Sequence, residues 1–112
     1  MHEMSVAEGI LKIAFDVMNQ NHCSKIGAIG LRLGEMSGVE LEALRMAFDV
    51  LTRDTPAEHA ELKIERVPIV AECNKCGKSF RVDHYNFFCS ECGGVLILKS
   101  GRELQVAYVD VN

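Results

Sequence analysis

The N-terminal third of the chain has the hydrophobic spacing of a helix. Apolar residues recur every three or four positions from Val6 to Met18 and form one stripe along a helical face. Ser5 lies three residues before Glu8, which is the spacing of a capping box. We therefore predict an amphipathic helix that begins near Val6 and ends at the polar run 19–22.

The next segment alternates and then becomes helical again. Apolar and small or polar residues alternate over 28–33, which predicts a strand with one apolar face that Gly34 closes. Ser37 and Glu40 repeat the capping-box spacing, and helical apolar spacing follows over 41–53. A second amphipathic helix that ends near residue 53 follows from this pattern.

Two more strands are predicted, one on each side of a cysteine-rich segment. Residues 62–64 alternate with charged positions until Pro68, and residues 104–111 are rich in strand formers. A lone final strand would be unstable, so we expect it to join the two earlier strands. The fold class is α+β: a three-stranded sheet covered by two helices, with an inserted zinc-ribbon-like module. The expected domains are 1–68 plus 99–112, and 69–98 as the insertion.

Four of the five cysteines form two Cys-x-x-Cys pairs, Cys73 with Cys76 and Cys89 with Cys92. Two such pairs facing each other predict a closed tetrahedral thiolate site of the kind that holds structural Zn²⁺. A glycine follows each pair, where we expect a turn with positive φ. The same spacing suits a zinc-ribbon adaptor that binds nucleic acid, or a rubredoxin-like iron module for electron transfer.

Composition limits the function classes. The 112 residues have a formal net charge of −4, with 48% hydrophobic and 25% charged residues, which is typical of a globular protein. The acidic balance and scattered cations disfavour a nucleic-acid partner. No segment is long and apolar enough to span a membrane, and no signal peptide is visible, so we expect a cytoplasmic protein. No nucleophile motif or phosphate-binding loop is present, so we expect no enzyme activity.

Several motifs together resemble the HypA family of nickel metallochaperones, and the resemblance covers essentially the whole chain. They are the N-terminal triplet Met1-His2-Glu3 with Ser5, the segment from Gly34 to Leu44, Phe48, the stretch 57–62 and the cysteine pairs. The chain departs from the family pattern at Asp54 and His59, where glycine is frequent. Both departures predict local differences in a loop.

The resemblance implies a carrier that delivers nickel to the [NiFe] hydrogenase large-subunit precursor. It implies Ni(II) held at the N-terminus by Met1, His2 and Glu3, and zinc held by the four paired cysteines. It also implies partners: the nickel-handling GTPase HypB and the large-subunit precursor, with urease maturation factors as further partners.

The residues at the N-terminus support the nickel site independently. The Met1 amine, the next backbone amide and the His2 imidazole can form fused chelate rings, and nitrogen donors in a planar array suit Ni²⁺ and Cu²⁺ rather than Zn²⁺ or Mg²⁺. Glu3 offers its amide nitrogen or its carboxylate. His22 and His59 are interpreted as solvated. For His84, between the cysteine pairs, we favour no metal role over a hydrogen bond to a metal ligand or transient binding of the metal. For Cys23 we favour a partly buried, inert thiol over a reactive or metal-binding one.

Overall fold

The computed structural model describes residues 2–83 and 86–112, and within them it contains two helices and two three-stranded sheets. The sheet orders are β2-β1-β6 and β4-β3-β5. The predicted α+β class and the predicted joining of the last strand to the first two are therefore confirmed. The elements are α1 (Glu3–Gln20), β1 (Ile26–Gly34), α2 (Leu41–Thr52), β2 (Glu61–Val67), β3 (Val70–Cys73), β4 (Ser79–Arg81), β5 (Leu96–Ser100) and β6 (Leu104–Val111).

The chain divides into two compact units. The first, here called the helical unit, comprises Met1–Arg32, Gly38–Glu65 and Gln105–Asn112. The second, the cysteine unit, comprises Leu33–Ser37 and Arg66–Leu104. No helix in the described ranges is long and apolar enough to cross a membrane.

Helix α1 begins earlier than its sequence pattern predicts. It starts at Glu3, with His2 as the N-cap residue, and the prediction of a start near Val6 with Ser5 as cap is wrong. The amide of Val6 already donates to the His2 carbonyl at 3.1 Å, so Ser5 lies inside the first turn, where its side chain cannot cap. The apolar stripe is as predicted, with five buried residues at helical spacing: Ala7, Ile10, Leu11, Ala14 and Met18.

Helix α2 begins at Leu41, and its cap differs from the predicted capping box. Glu40 is itself the N-cap residue, and its carboxylate accepts hydrogen bonds from the amides of Glu42 and Ala43 at 3.2 and 2.7 Å. The Glu40 carboxylate thus takes the capping position that the predicted capping box would assign to Ser37. The predicted end near Arg53 is confirmed, since Arg53 is the C-cap residue.

Strand β1 is the central strand of the first sheet. Its predicted apolar face is confirmed, because Ile29, Leu31 and Leu33 are among the largest fully buried side chains. Just beyond the strand ends, Lys25 and Asn112 exchange backbone hydrogen bonds of 3.1 and 2.9 Å. A mutual pair of this kind marks antiparallel neighbours. The last strand therefore returns beside the first.

The cysteine unit has a small sheet and a small core of its own. Strand β3 pairs antiparallel with β4 through Ala71 and Phe80, and with β5 through Ala71 and Leu98. The core contains two of the cysteines together with aliphatic residues: Ile69, Ala71, Cys73, Val82, Cys89 and Leu96. With so few apolar residues, this unit is expected to depend for stability on a metal ion held by its cysteines.

Candidate metal centres

The two Cys-x-x-Cys pairs lie on backbone turns with the same hydrogen bonds. In the first turn, the Cys73 amide donates to the Lys78 carbonyl at 2.8 Å and the Gly77 amide to the Cys73 carbonyl at 3.1 Å. In the second, Cys89 donates to Gly94 at 2.7 Å and Gly93 to Cys89 at 2.9 Å. The repeated pattern places both cysteines of each turn on one side of it, so that each turn presents two sulfurs.

The four sulfurs converge on one point. Their Sγ atoms all lie within 4.8 Å of one another, with Cys73 and Cys92 at 3.4 Å and Cys76 and Cys89 at 3.7 Å. A tetrahedron with Zn–S bonds of about 2.3 Å has S···S edges of roughly 3.8 Å. The predicted clustering of these four residues is therefore observed, and a set of four sulfur donors fits a thiophilic ion in a closed site.

Glycines shape the site in two ways. Gly77 and Gly93 have φ values of 78° and 73°, in the left-handed region that glycine adopts without strain, as expected from the sequence. Gly94 is needed for space: a Cβ there would lie 3.1 Å from the Cys73 sulfur and 3.3 Å from the Cys92 sulfur. The backbone at Gly94 thus packs directly against the sulfurs.

The sulfurs have unequal surroundings. The amides of Cys76 and Lys75 donate to the buried Cys73 sulfur at 3.4 and 3.3 Å, and these bonds lower the pKa of Cys73 to about 6. At the exposed Cys92, the Gly94 amide lowers the pKa, but the neighbouring Cys73 sulfur and partial burial outweigh it and raise the pKa to about 11. Without a metal, one thiolate therefore forms readily and its neighbours resist ionisation. A bound divalent cation favours the ionised form of all four thiols, because its positive charge offsets the repulsion between neighbouring thiolates.

One ion pair joins the two turns outside the sulfurs. The Lys78 ammonium, next to the first turn, contacts the Glu91 carboxylate, which lies between the cysteines of the second turn. Both side chains are more than half exposed, so the pair contributes little free energy on its own. Its position is consistent with a role in aligning the two turns.

The N-terminal candidate ligands lie at the start of α1. His2 is exposed and its side chain makes no capping hydrogen bond. The Glu3 carboxylate accepts a hydrogen bond from the Glu40 amide at 3.1 Å, which lowers the pKa of Glu3 below its ordinary value of 4.5. Sequence reasoning missed Glu40 as a contact of the predicted site, although the capping-box spacing had singled it out for another role.

An apolar surface adjoins His2 in the helical unit. Exposed Met4 on α1 and Met46 and Val50 on α2 line the same shallow depression as His2 and Glu3, together with Ala43 and Ala47. Positions 43, 46, 47 and 50 fall on one face of α2. His2 and Glu3 therefore border an apolar surface rather than a deep polar pocket.

The other residues that the sequence analysis singled out lie away from the two candidate metal sites or outside the described residues. Met1 and His84 lie outside the described residues. His22 and His59 are exposed in turns, and Cys23 is partly buried with its sulfur 3.5 Å from the Asn21 carbonyl oxygen. Asp54, one of the departures from the family pattern, has φ of 58°, a conformation in which glycine would be unstrained. Of these candidates, the described ones (His22, His59, Cys23 and Asp54) do not belong to the four-sulfur cluster.

Comparison with known proteins identifies the family. A family model described as "Hydrogenase/urease nickel incorporation, metallochaperone, hypA" matches residues 1–111. The chain belongs to the HypA family. Members of this family are nickel metallochaperones that serve hydrogenase maturation.

Curated HypA proteins align over the whole chain. Hydrogenase maturation factor HypA of Chlorobaculum parvum is 38% identical over 100% of both chains, and that of Syntrophus aciditrophicus is 39% identical over 100% of both. The resemblance inferred from the N-terminal triplet and the cysteine pairs is thereby confirmed.

Solved HypA structures share the fold. The solution structure of the Ni metallochaperone HypA from Helicobacter pylori has a TM-score of 0.69 at 22% identity and covers 99% of this chain and 97% of its own. A second structure, "Solution structure of HypA protein", has a TM-score of 0.73 at 22% identity, with 100% and 97% coverage. At this identity the likeness concerns the HypA fold alone.

Proposed function

We propose that this chain binds Ni(II) through Met1, His2 and Glu3 and delivers it to the [NiFe] hydrogenase large-subunit precursor. The observation that carries the proposal is the exposed His2 at the N-cap of α1, with Glu3 in the first turn. The curated relatives are named hydrogenase maturation factors, which supports this client. Fused chelation by an amine, backbone nitrogens and an imidazole suits the planar preference of Ni²⁺.

The helix start favours this chemistry electrostatically. Binding in a planar nitrogen array requires backbone amides to lose protons, which places negative charge on their nitrogens. The positive end of the helix dipole stabilises such charge. Because the first amides of a helix have no partner within it, a metal can displace their protons without breaking a helical hydrogen bond.

Glu3 is better placed to offer its amide than its carboxylate. One carboxylate oxygen, Oε2, accepts the Glu40 amide at 3.1 Å, which engages the carboxylate with the N-terminus of α2. The backbone nitrogen of Glu3 lies at the first helical position, directly after His2. We therefore assign nitrogen donation to Glu3, with the carboxylate fixing the first turn of α1.

The cluster of Cys73, Cys76, Cys89 and Cys92 is proposed to hold structural Zn²⁺. Four thiolates leave no open position, so this ion would stabilise the fold and would not be transported. Two of the four cysteines belong to the small core of the cysteine unit, which links metal loading to folding. In functional terms we divide the chain into a nickel-binding domain, 1–68 plus 99–112, and a zinc module, 69–98.

The proposed partners follow from the family. They are the nickel-handling GTPase HypB, the large-subunit precursor and, for urease, its maturation factors, all in the cytoplasm. The family model's description includes both hydrogenase and urease, which supports both routes. The chain has no phosphate-binding loop of its own in its sequence, so the partner would supply GTP hydrolysis.

A nickel titration of the zinc-loaded, untagged chain tests the proposal. His2→Ala should abolish the exchangeable nickel site, whereas His22→Ala and His59→Ala should leave its affinity unchanged. An N-terminal extension should weaken binding nearly as much, because it converts the Met1 amine into a peptide bond. Equal affinity in His2→Ala and the parent would contradict the site assignment.

A further inference from the structure

The sulfurs of the four-cysteine cluster form two close contacts, and each contact joins one turn to the other. Cys73 of the first turn lies 3.4 Å from Cys92 of the second, and Cys76 lies 3.7 Å from Cys89. A disulfide bond is about 2.05 Å long, so each sulfur would need to move by less than about 1 Å to form one. The cluster is therefore arranged for bonds between the turns as well as for a metal ion.

Each close contact pairs an exposed cysteine with a buried one. Cys76 and Cys92 are exposed, whereas Cys73 and Cys89 are buried. A dissolved oxidant therefore meets an exposed sulfur first, and the sulfur in contact with it is a buried one of the opposite turn. Thiolates are the reactive form of cysteine, and metal binding keeps all four sulfurs in that form.

We propose that the cluster is also an oxidation site, which hydrogen peroxide converts into two disulfides, Cys73–Cys92 and Cys76–Cys89, with loss of the bound metal. The inference rests on the proposed zinc site and goes beyond it, because it gives the same four residues a second chemical state. Four cysteines can pair in three ways. The two sulfur contacts select one of these three.

The chemistry takes two steps for each pair. The exposed thiolate attacks one peroxide oxygen, the O–O bond breaks, and a sulfenic acid and a hydroxide ion form. The buried thiolate then attacks the sulfenic sulfur, so that the S–S bond forms and the S–O bond breaks with release of a second hydroxide ion. Two peroxide molecules thus convert four thiolates into two disulfides and four hydroxide ions. Because thiolates are the metal ligands and neutral disulfides are not, the cation leaves.

Disulfides between the turns should preserve part of the fold after the metal has left. The metal and the two disulfides connect the same two turns, and a covalent link stabilises the folded state by restricting the unfolded chain. Disulfides within the turns would leave the turns unconnected. We therefore expect amides of β3 to keep protection from hydrogen exchange in the oxidised chain and to lose it in the reduced, metal-free chain.

Oxidation of the zinc-loaded chain with hydrogen peroxide tests the proposal. A chromogenic chelator should detect one zinc ion per chain after two equivalents of peroxide. Dithiothreitol with added zinc should then restore the starting state, because reduction returns all four thiols.

Disulfide mapping of the oxidised chain reads the connectivity directly. Trypsin cleaves after Lys75, between the two cysteines of the first turn, and glutamyl endopeptidase cleaves after Glu91, between those of the second. Each cysteine of the cluster then lies in a separate peptide, so that every linkage has its own mass. The expected linked peptides are the two that join a buried cysteine of one turn to an exposed cysteine of the other.

Two controls accompany the mapping. Cys23→Ser removes the fifth thiol, which lies outside the cluster, and should give the same zinc release and the same linkages. A chain that is unfolded in urea with a chelator before oxidation should give a mixture of the three pairings, because nothing holds its turns together.

The outcomes distinguish this proposal from the proposed zinc site. Linkages within the turns, the same mixture from the folded and the unfolded chain, sulfinic acids in place of disulfides, or zinc that stays bound in excess peroxide would each overturn the proposal. A purified chain without zinc would contradict the proposed zinc site instead, and its linkages after oxidation would still confirm or refute the pairing.

Discussion

The Glu3 carboxylate accepts a hydrogen bond from the backbone amide of Glu40, at 3.1 Å. Glu40 is the N-cap residue of α2 and binds two amides of that helix through its own carboxylate. The residue after His2 is thus attached to the cap of the second helix. This contact joins the first turn of α1, directly after His2, to the N-terminus of α2.

The Glu3 contact has a pH dependence with a definite sign. Because the pKa of Glu3 is lowered in the folded chain, first by the Glu40 amide, its contribution is fully present above about pH 4.5 and is lost as the pH falls through the lowered value. A carbon-detected NMR titration of the side-chain carboxyl should give a midpoint below 4.5. A midpoint at or above that value would show that the hydrogen bond is absent in solution.

Loss of one cage cysteine should unfold the cysteine unit selectively. Structural zinc contributes roughly 10–16 kcal/mol in small zinc peptides, far more than a core of this size can supply. In Cys89→Ser, amides of β3, β4 and β5 should lose protection from hydrogen exchange while those of α1 keep it. Cys23→Ser is the matched control, since Cys23 lies outside the cluster, and it should leave both patterns unchanged. Full protection of β3 in Cys89→Ser would contradict this account.

Zinc affinity should fall as the solution is acidified. With the pKa of Cys92 at about 11 and that of Cys73 at about 6 before metal binds, Cys92 must release a proton on binding at neutral pH, whereas Cys73 is already largely ionised. Competition with a zinc chelator at pH 8, 7 and 6, corrected for protonation of the chelator, measures the effect. An affinity that is constant over this range would mean that the thiols are all ionised beforehand.

Alanine at Gly94 and alanine at Gly9 should change different properties of the chain, the zinc affinity in the first case and the stability of α1 in the second. Gly94→Ala should weaken zinc binding, because the new Cβ would press on the sulfurs of Cys73 and Cys92 at 3.1 and 3.3 Å. Gly9, in the exposed face of α1, has nothing within 4 Å of a new Cβ, so Gly9→Ala should raise the free energy of unfolding by about 0.5–1 kcal/mol. Zinc competition and thermal melting check the two outcomes. An affinity of Gly94→Ala equal to that of the parent would show that the turn relaxes freely.

Periodicity was sufficient to predict the main elements of the helical unit. The stripe that contains Ile10 and Leu11 and the apolar residues Ile29, Leu31 and Leu33 each mark a buried face, and burial is what hydrophobic patterns record. The alternation in β1 did not indicate that its other face is also buried at Ala28 and Gly30. The helix starts were less predictable. Whether Ser5 caps α1 depends on backbone geometry at His2, and the capping-box spacing of Ser37 and Glu40 does not reveal which of the two residues is the cap.

The cysteine unit shows where pattern reading fails. Strands β3, β4 and β5 are three to five residues long, too short for a clear alternation, and part of their core consists of the cysteines themselves. The clustering of the four sulfurs followed from spacing alone. The close packing of Gly94 against Cys73 did not, because it depends on how the second turn approaches the first.

Native mass spectrometry of the untagged chain tests the central claim most directly. The account predicts one zinc ion per chain as purified, and one additional nickel ion after nickel is added and excess is removed. His2→Ala should keep the zinc and take up no nickel. Nickel bound to His2→Ala as it is to the parent, or nickel that displaces the zinc instead of adding to it, would contradict separate sites for the structural and the transported metal.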